Sequence, residues 1–220
     1  MASLIALNVA RDAKAGTNVR QDGLSGRAGS AGQLVAYTSG QAHGSADKAM
    51  EILGLGRQGL RRVPIDGAGR MDVSALAARI RKDRDEGLAP FCVIATAGTV
   101  NIGAFDPLEE IAALAASEQL WLHVDGAFGA LAMLSEADKH KVRGIERADS
   151  LAFDFHKWLH VPYDAGMVLI RDGERHRATF GTEQDYLAGS ERGLAAGQPW
   201  FCDLGPELSR GFRALKVWFT

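Results

Sequence analysis

Cysteine is scarce in this sequence: Cys92 and Cys202 are the only two among 220 residues, far apart and without a C-x-x-C spacing. That excludes a disulfide scaffold and a cysteine-built zinc site, and it fits a reducing cytosol with both thiols used as small apolar residues. No sign of charge dominates, since 25 basic against 27 acidic residues leave a net charge of −2. Such a balance recruits neither nucleic acid nor an anionic membrane, and no basic run interleaved with aromatics occurs. Long apolar runs are missing as well. The patch in "MASLIALNVARDAKAG" is too short to span a bilayer, and its basic residues follow it, the wrong order for a signal peptide.

What is present is ordinary globular material, 46% hydrophobic and 24% charged, in a chain long enough to bury a substantial core. A first helix is expected to end near Gly16, followed by a Gly- and Ser-rich loop whose glycines at 26, 29 and 32 do not make a dinucleotide fingerprint. From Gln33 onward, strand-like and helix-like stretches alternate. Leu34–Ser39 reads as a strand, "SADKAMEILGLG" as a helix, and "RRVPID" as an edge strand that tolerates Pro64. Asp72 is the expected cap of "VSALAARIRKDRDEG", and Asp106 the expected cap of "PLEEIAALAASEQ", with Pro107 in its first turn. "FCVIATAG", "LWLHVD", "SLAFDF" and "GMVLIRD" read as buried strands. The alternation predicts an α/β domain around a mostly parallel sheet, whose ligands sit beyond the carboxyl ends of the strands.

The residues at those ends carry the chemistry. Asp125 closes "LWLHVD" before the small Gly126 and Ala127, and His123 shares its face of the strand. As a metal pair these two lack a third ligand at a recognised spacing, and no H-E-x-x-H occurs, so no metal is expected. Lys157 lies beyond the next strand, among Phe155, His156 and Trp158. A lysine in apolar surroundings loses its proton more readily, and a neutral amine attacks carbonyls. Pyridoxal phosphate is the cofactor that needs such a lysine together with a carboxylate to hold its ring nitrogen protonated. His43, after Leu34–Ser39, reads equally as a ring stacked on a flat cofactor and as a polar histidine at a helix start.

Taken together, "YTSGQAHGSADKA", "IATAGTVNIGAFDPLEEIA", "LHVDGAFGA", "DSLAFDFHKWLHVPYDAG" and "LSRGFRALKVWF" resemble the group II pyridoxal-phosphate-dependent amino-acid decarboxylases, in the family's order and over nearly the whole chain. The resemblance implies a fold-type I large domain with a mixed seven-stranded sheet, and a cytoplasmic homodimer with composite active sites. It makes Lys157 the Schiff-base lysine, Asp125 the partner of the pyridinium nitrogen and Ala127 the small residue under the ring. His43 becomes the histidine stacked over the cofactor, while Thr96 and His123 support the ring and the aspartate. Asp154 and His156 fall near the phosphate and Schiff base, although family members often carry Asn where Asp154 stands. Tyr186 matches a tyrosine on a mobile covering loop that delivers a proton to the substrate carbon; the alternative reading is an anchoring aromatic on a surface loop.

The same comparison divides the chain into a cofactor-binding domain over 1–180 and, over 181–220, the catalytic loop and the start of a helix leading to a small domain. It makes the chain a fragment, beginning after a Thr/Ser-Gly-Gly-Ser phosphate turn and ending before that small domain. The implied reaction is decarboxylation of an L-amino acid, aromatic by the form of "HVPYDAG". Transamination, another lyase reaction or a non-catalytic fragment are the alternatives left open by the residues.

Overall fold

The apolar runs become the middle strands of one sheet in the computed structural model, which describes residues 1–24, 32–182, 192–193, 196–197 and 200–220. Its strands are β1 (Leu34–Ser39), β2 (Leu60–Val63), β3 (Ala89–Thr96), β4 (Trp121–Asp125), β5 (Ser150–Asp154) and β6 (Gly166–Ile170). The spatial order is β2-β1-β3-β4-β5-β6, parallel except for the antiparallel β5–β6 pair. The α/β architecture is thus the expected one, with six strands among the described residues rather than seven.

Helices α1 (Ala2–Lys14) and α3 (Ser45–Ile52) cover one face of the sheet, while α4 (Val73–Asp85) and α5 (Leu108–Ser117) cover the other. The alternation of side chains along each strand sorts the core accordingly. Val35, Tyr37, Val93 and Val124 pack with Leu76, Ile80 and Ile111. Leu34, Ala36, Ile94 and Trp121 pack with Leu7, Val9 and Met50. Because Trp121 points toward α1, period two places His123 and Asp125 on that side too. The short α2 (Val19–Asp22) lies inside the expected loop, and α6 (Gly173–Phe180) and α7 (Arg213–Phe219) follow the sheet.

Two expectations are corrected. Strand β6 is an edge, not a buried strand: Met167 is 37% and Leu169 50% exposed, because β5 covers only one side of it. Asp106 does not cap α5, which begins at Leu108 with Pro107 in the cap position. Its buried carboxylate instead accepts the N–H of Met71 at 2.7 Å and of Thr96 at 2.8 Å, satisfying two buried donors where a cap would satisfy one. Burial pushes the Asp106 carboxyl above its ordinary value, and those two hydrogen bonds oppose the rise. Asp72 does cap α4, accepting from the Ala75 N–H at 3.0 Å.

Turns behind the site depend on glycine at two places. Gly144 has φ +95°, and a Cβ there would stand 2.5 Å from the Glu109 nitrogen at the start of α5. A Cβ on Gly129 would meet the Ala97 carbonyl oxygen at 2.5 Å, so the segment after β4 lies flush against the end of β3.

Candidate active site

The strand order reverses between β1 and its two neighbours, with α3 on one face and α4 on the other, which opens a crevice at the carboxyl ends of the strands. A cavity of about 690 Å³ lies at the carboxyl ends of β4 and β5, bordered by the start of β6 and the first turn of α1. His43, Asp125, Ala127, Asp154, His156 and Lys157 all line it, together with Met1, Ala2 and Ser3 from the first turn of α1. His43 and Lys157, 114 positions apart in sequence, are thereby gathered around one space, His43 arriving from the end of β1, Asp125 from β4 and Lys157 from the segment after β5. Thr96 and His123 are buried and do not line the cavity. Tyr186 lies outside the described residues.

Lys157 is held from two sides. Its Nζ lies 2.8 Å from Asp154 Oδ2 and 4.7 Å from the centre of the Phe128 ring, a cation–π contact supplied by the turn after β4. The neighbouring His156 accepts the Ala165 N–H on Nδ1 at 3.0 Å, and its ring lies against Tyr163 with centroids 4.2 Å apart. With Nδ1 used as an acceptor, the ring's proton sits on Nε2, 3.8 Å from Asp154 Oδ2. Asp125 Oδ1 accepts the Ala127 N–H at 3.2 Å, which ties the carboxylate to the turn it begins. His43 is exposed, and its Nδ1 accepts the Ser45 N–H at 3.2 Å at the start of α3. It both sits at a helix start and faces the cavity.

Behind Asp125 runs a buried polar chain. The Trp121 indole N–H donates to Ser150 Oγ at 2.8 Å, and Ser150 Oγ lies 2.9 Å from His123 Nδ1. The Ser150 hydroxyl thus bridges the indole N–H of Trp121 and the Nδ1 side of the His123 ring. Burial lowers the His123 imidazole to about 4, against the pull of Asp125 in the other direction, so the ring is neutral near pH 7. His123 Nε2 and Thr96 Oγ1 are both buried without a hydrogen-bond partner among the described residues.

Composition and spacing did not point to Phe128, Ser150 or His176. Phe128 is one aromatic within a small-residue turn, and Ser150 opens β5 as an ordinary strand residue. His176 on α6 lines the cavity and hydrogen-bonds through Nε2 to the Leu204 carbonyl oxygen at 3.0 Å, anchoring the Phe201–Leu204 turn that forms one wall. A contact across 28 residues leaves no local signal.

Among the described residues no three His, Cys, Asp or Glu side chains gather to hold a metal ion. A lone lysine and a carboxylate in one crevice, with small residues between them, suit an organic carbonyl cofactor instead. Residues 1–220 match the family described as the pyridoxal-dependent decarboxylase conserved domain. The chain belongs to that family. Its members act with pyridoxal 5′-phosphate as cofactor. The chain is 45% identical over 220 residues to the aromatic-L-amino-acid decarboxylase of Bacillus atrophaeus, covering 100% of this chain and 43% of that one. It is 43% identical over 188 residues to the histidine decarboxylase of Drosophila melanogaster, covering 86% of this chain and 22% of that one. Among solved structures, mouse CSAD superposes with a TM-score of 0.87 at 32% identity, over 99% of this chain and 44% of that one. Oryza sativa TDC with PLP and tryptamine gives 0.85 at 31% identity, again over 99% and 44%. The chain therefore spans less than half the length of these relatives.

Proposed function

We propose that this chain is the cofactor-binding part of an enzyme that removes the α-carboxylate of an aromatic L-amino acid, leaving the amine and carbon dioxide. The carrying observation is that Lys157 and Asp125, from different strands, line one cavity floored by Ala127 and Ala152. The residues fit pyridoxal phosphate: one cavity offers an amine for its aldehyde and a carboxylate for its ring nitrogen. When bound, that cofactor draws off the electron pair left as the bond to carbon dioxide breaks.

The chain's own part is to bind and orient. Lys157 would hold the cofactor, and Asp125 would supply the negative charge that keeps the ring nitrogen protonated. His43 would cover the ring, and the first turn of α1, whose backbone N–H groups lack intrahelical partners, would meet the phosphate. Thr96 and His123 would brace the ring and Asp125, and Tyr186 is assigned proton delivery to the substrate carbon. Residues 1–180 form the cofactor-binding domain in this reading, and 181–220 the covering segment, of which the Phe201–Leu204 turn already walls the cavity.

An aromatic substrate is favoured by the apolar wall of Ile5, Phe153, Met167, Val168, Phe201 and Leu204. The rim arginines do not favour an acidic one, since Arg213 pairs with Asp164 at 2.9 Å and Arg210 with Glu207 at 3.5 Å. We also place the protein in the cytoplasm as a homodimer with composite sites. Free Cys92 and Cys202 support the first, and exposed Val100 and Ile102 on the turn after β3 offer a surface for the second. Among the described residues no helix is long and apolar enough to cross a membrane. The test is carbon dioxide release by the full-length protein from a panel of L-amino acids. Preference for tryptophan, tyrosine or phenylalanine supports the reading, and preference for glutamate or histidine overturns its substrate.

A further inference from the structure

Asp154 is the one carboxylate within ion-pair distance of Lys157 among the described residues, at 2.8 Å. The two side chains are 19% and 25% exposed, so the pair is largely shielded from water. The two arginines lining the cavity are engaged elsewhere: Arg213 faces Asp164 at 2.9 Å, and Arg210 faces Glu207 at 3.5 Å. His156 presents Nε2 to the same Asp154 oxygen at 3.8 Å, and Phe128 closes over the ammonium from the opposite side. Asp125 lines the same cavity but makes no ion pair with Lys157. Lys157 is therefore clasped at the end of β5 rather than extended freely into the cavity.

We propose that Asp154 is a positioning residue that holds Lys157 in the cofactor-free chain and must release it before the cofactor is captured. This rests on the reading of Lys157 as the cofactor lysine. Capture joins the amine nitrogen to the aldehyde carbon, expels the carbonyl oxygen as water and returns the ammonium proton to solvent. An ammonium bonded to a carboxylate has no lone pair to begin that reaction. The assignment also separates Asp154 from the phosphate. Two anions in contact repel, whereas the first turn of α1 offers N–H groups on the same cavity. Asp154 thus serves the lysine, and the phosphate lies away from it.

The test is trace acetylation of the full chain by acetic anhydride without added cofactor, with the Lys157 peptide quantified by mass spectrometry against the remaining lysines. Asp154→Asn, which keeps the shape and loses the charge, is expected to acetylate Lys157 about tenfold faster, and Asp154→Glu to restore slow labelling. A merely structural role would not be rescued by the conservative change to Glu, which restores the charge. Equal rates in Asp154→Asn and the unaltered chain would overturn the proposal. So would labelling of a folded Asp154→Glu chain as fast as that of Asp154→Asn, with folding read by circular dichroism. Cofactor attachment at Lys157 is read separately by reductive trapping, so the two assignments fail independently.

Discussion

A lysine at a strand end is common; one clamped between a carboxylate and an aromatic ring, with a second carboxylate across a cavity, is not. Asp125 is expected to matter through charge. Asp125→Ala should lower turnover by on the order of a hundredfold or more, since removing one preorganised electrostatic partner typically costs that much. Steady-state kinetics of the full-length protein checks it. His123 gives a pH signature. Burial lowers its folded-state value to about 4 from an ordinary 6.5, so the unfolded chain binds a proton that the folded chain refuses between those values. Its contribution is complete above about pH 6.5 and is lost as pH falls toward 4. Thermal midpoints measured across that window should drop, and His123→Gln should flatten the slope.

At the scale of elements, much could be read in advance because each element announces itself locally. Leu34–Ser39 forms the expected strand, and Asp72 caps the expected helix, because alternation and capping act over a few residues. What was not readable depends on distant partners. Asp106 looked like a cap until two N–H groups from other segments claimed it, and "GMVLIRD" looked buried because an apolar run says nothing of which strand lies beside it. The Lys157 and Asp125 pair is legible from strand ends and family resemblance, whereas the clasp of Asp154 on Lys157 depends on side-chain geometry beyond β5 that no spacing encodes. Packing between elements predicts two losses. Ile111, fully buried between α5 and the sheet, should cost about 2–5 kcal/mol when cut to Ala. Asp83 is buried and joins the Tyr37 hydroxyl at 3.0 Å to Arg79 at 3.0 Å and Arg61 at 3.4 Å across β1, β2 and α4. Burial and Asp83 push the Tyr37 phenol well above its usual range, so it stays protonated and donates. Asp83→Ala should destabilise by about 3–5 kcal/mol, because it strands these groups. Denaturant unfolding measures both.

At the scale of the whole molecule, these residues span 43% of the length of the Bacillus atrophaeus relative. Cofactor binding is nonetheless a property that these 220 residues can be asked to show. A ligand that binds only the folded state stabilises it by about 2.7 kcal/mol at a hundred times its Kd, so pyridoxal phosphate should raise the thermal midpoint and do so far less in Lys157→Ala. The most direct measurement is borohydride reduction of the protein with pyridoxal phosphate, followed by peptide mass spectrometry. A reduced cofactor on Lys157, absent from Lys157→Ala, is the expected result. Label on another lysine, or none in a folded chain, would contradict the assignment of Lys157 as the residue that holds the cofactor.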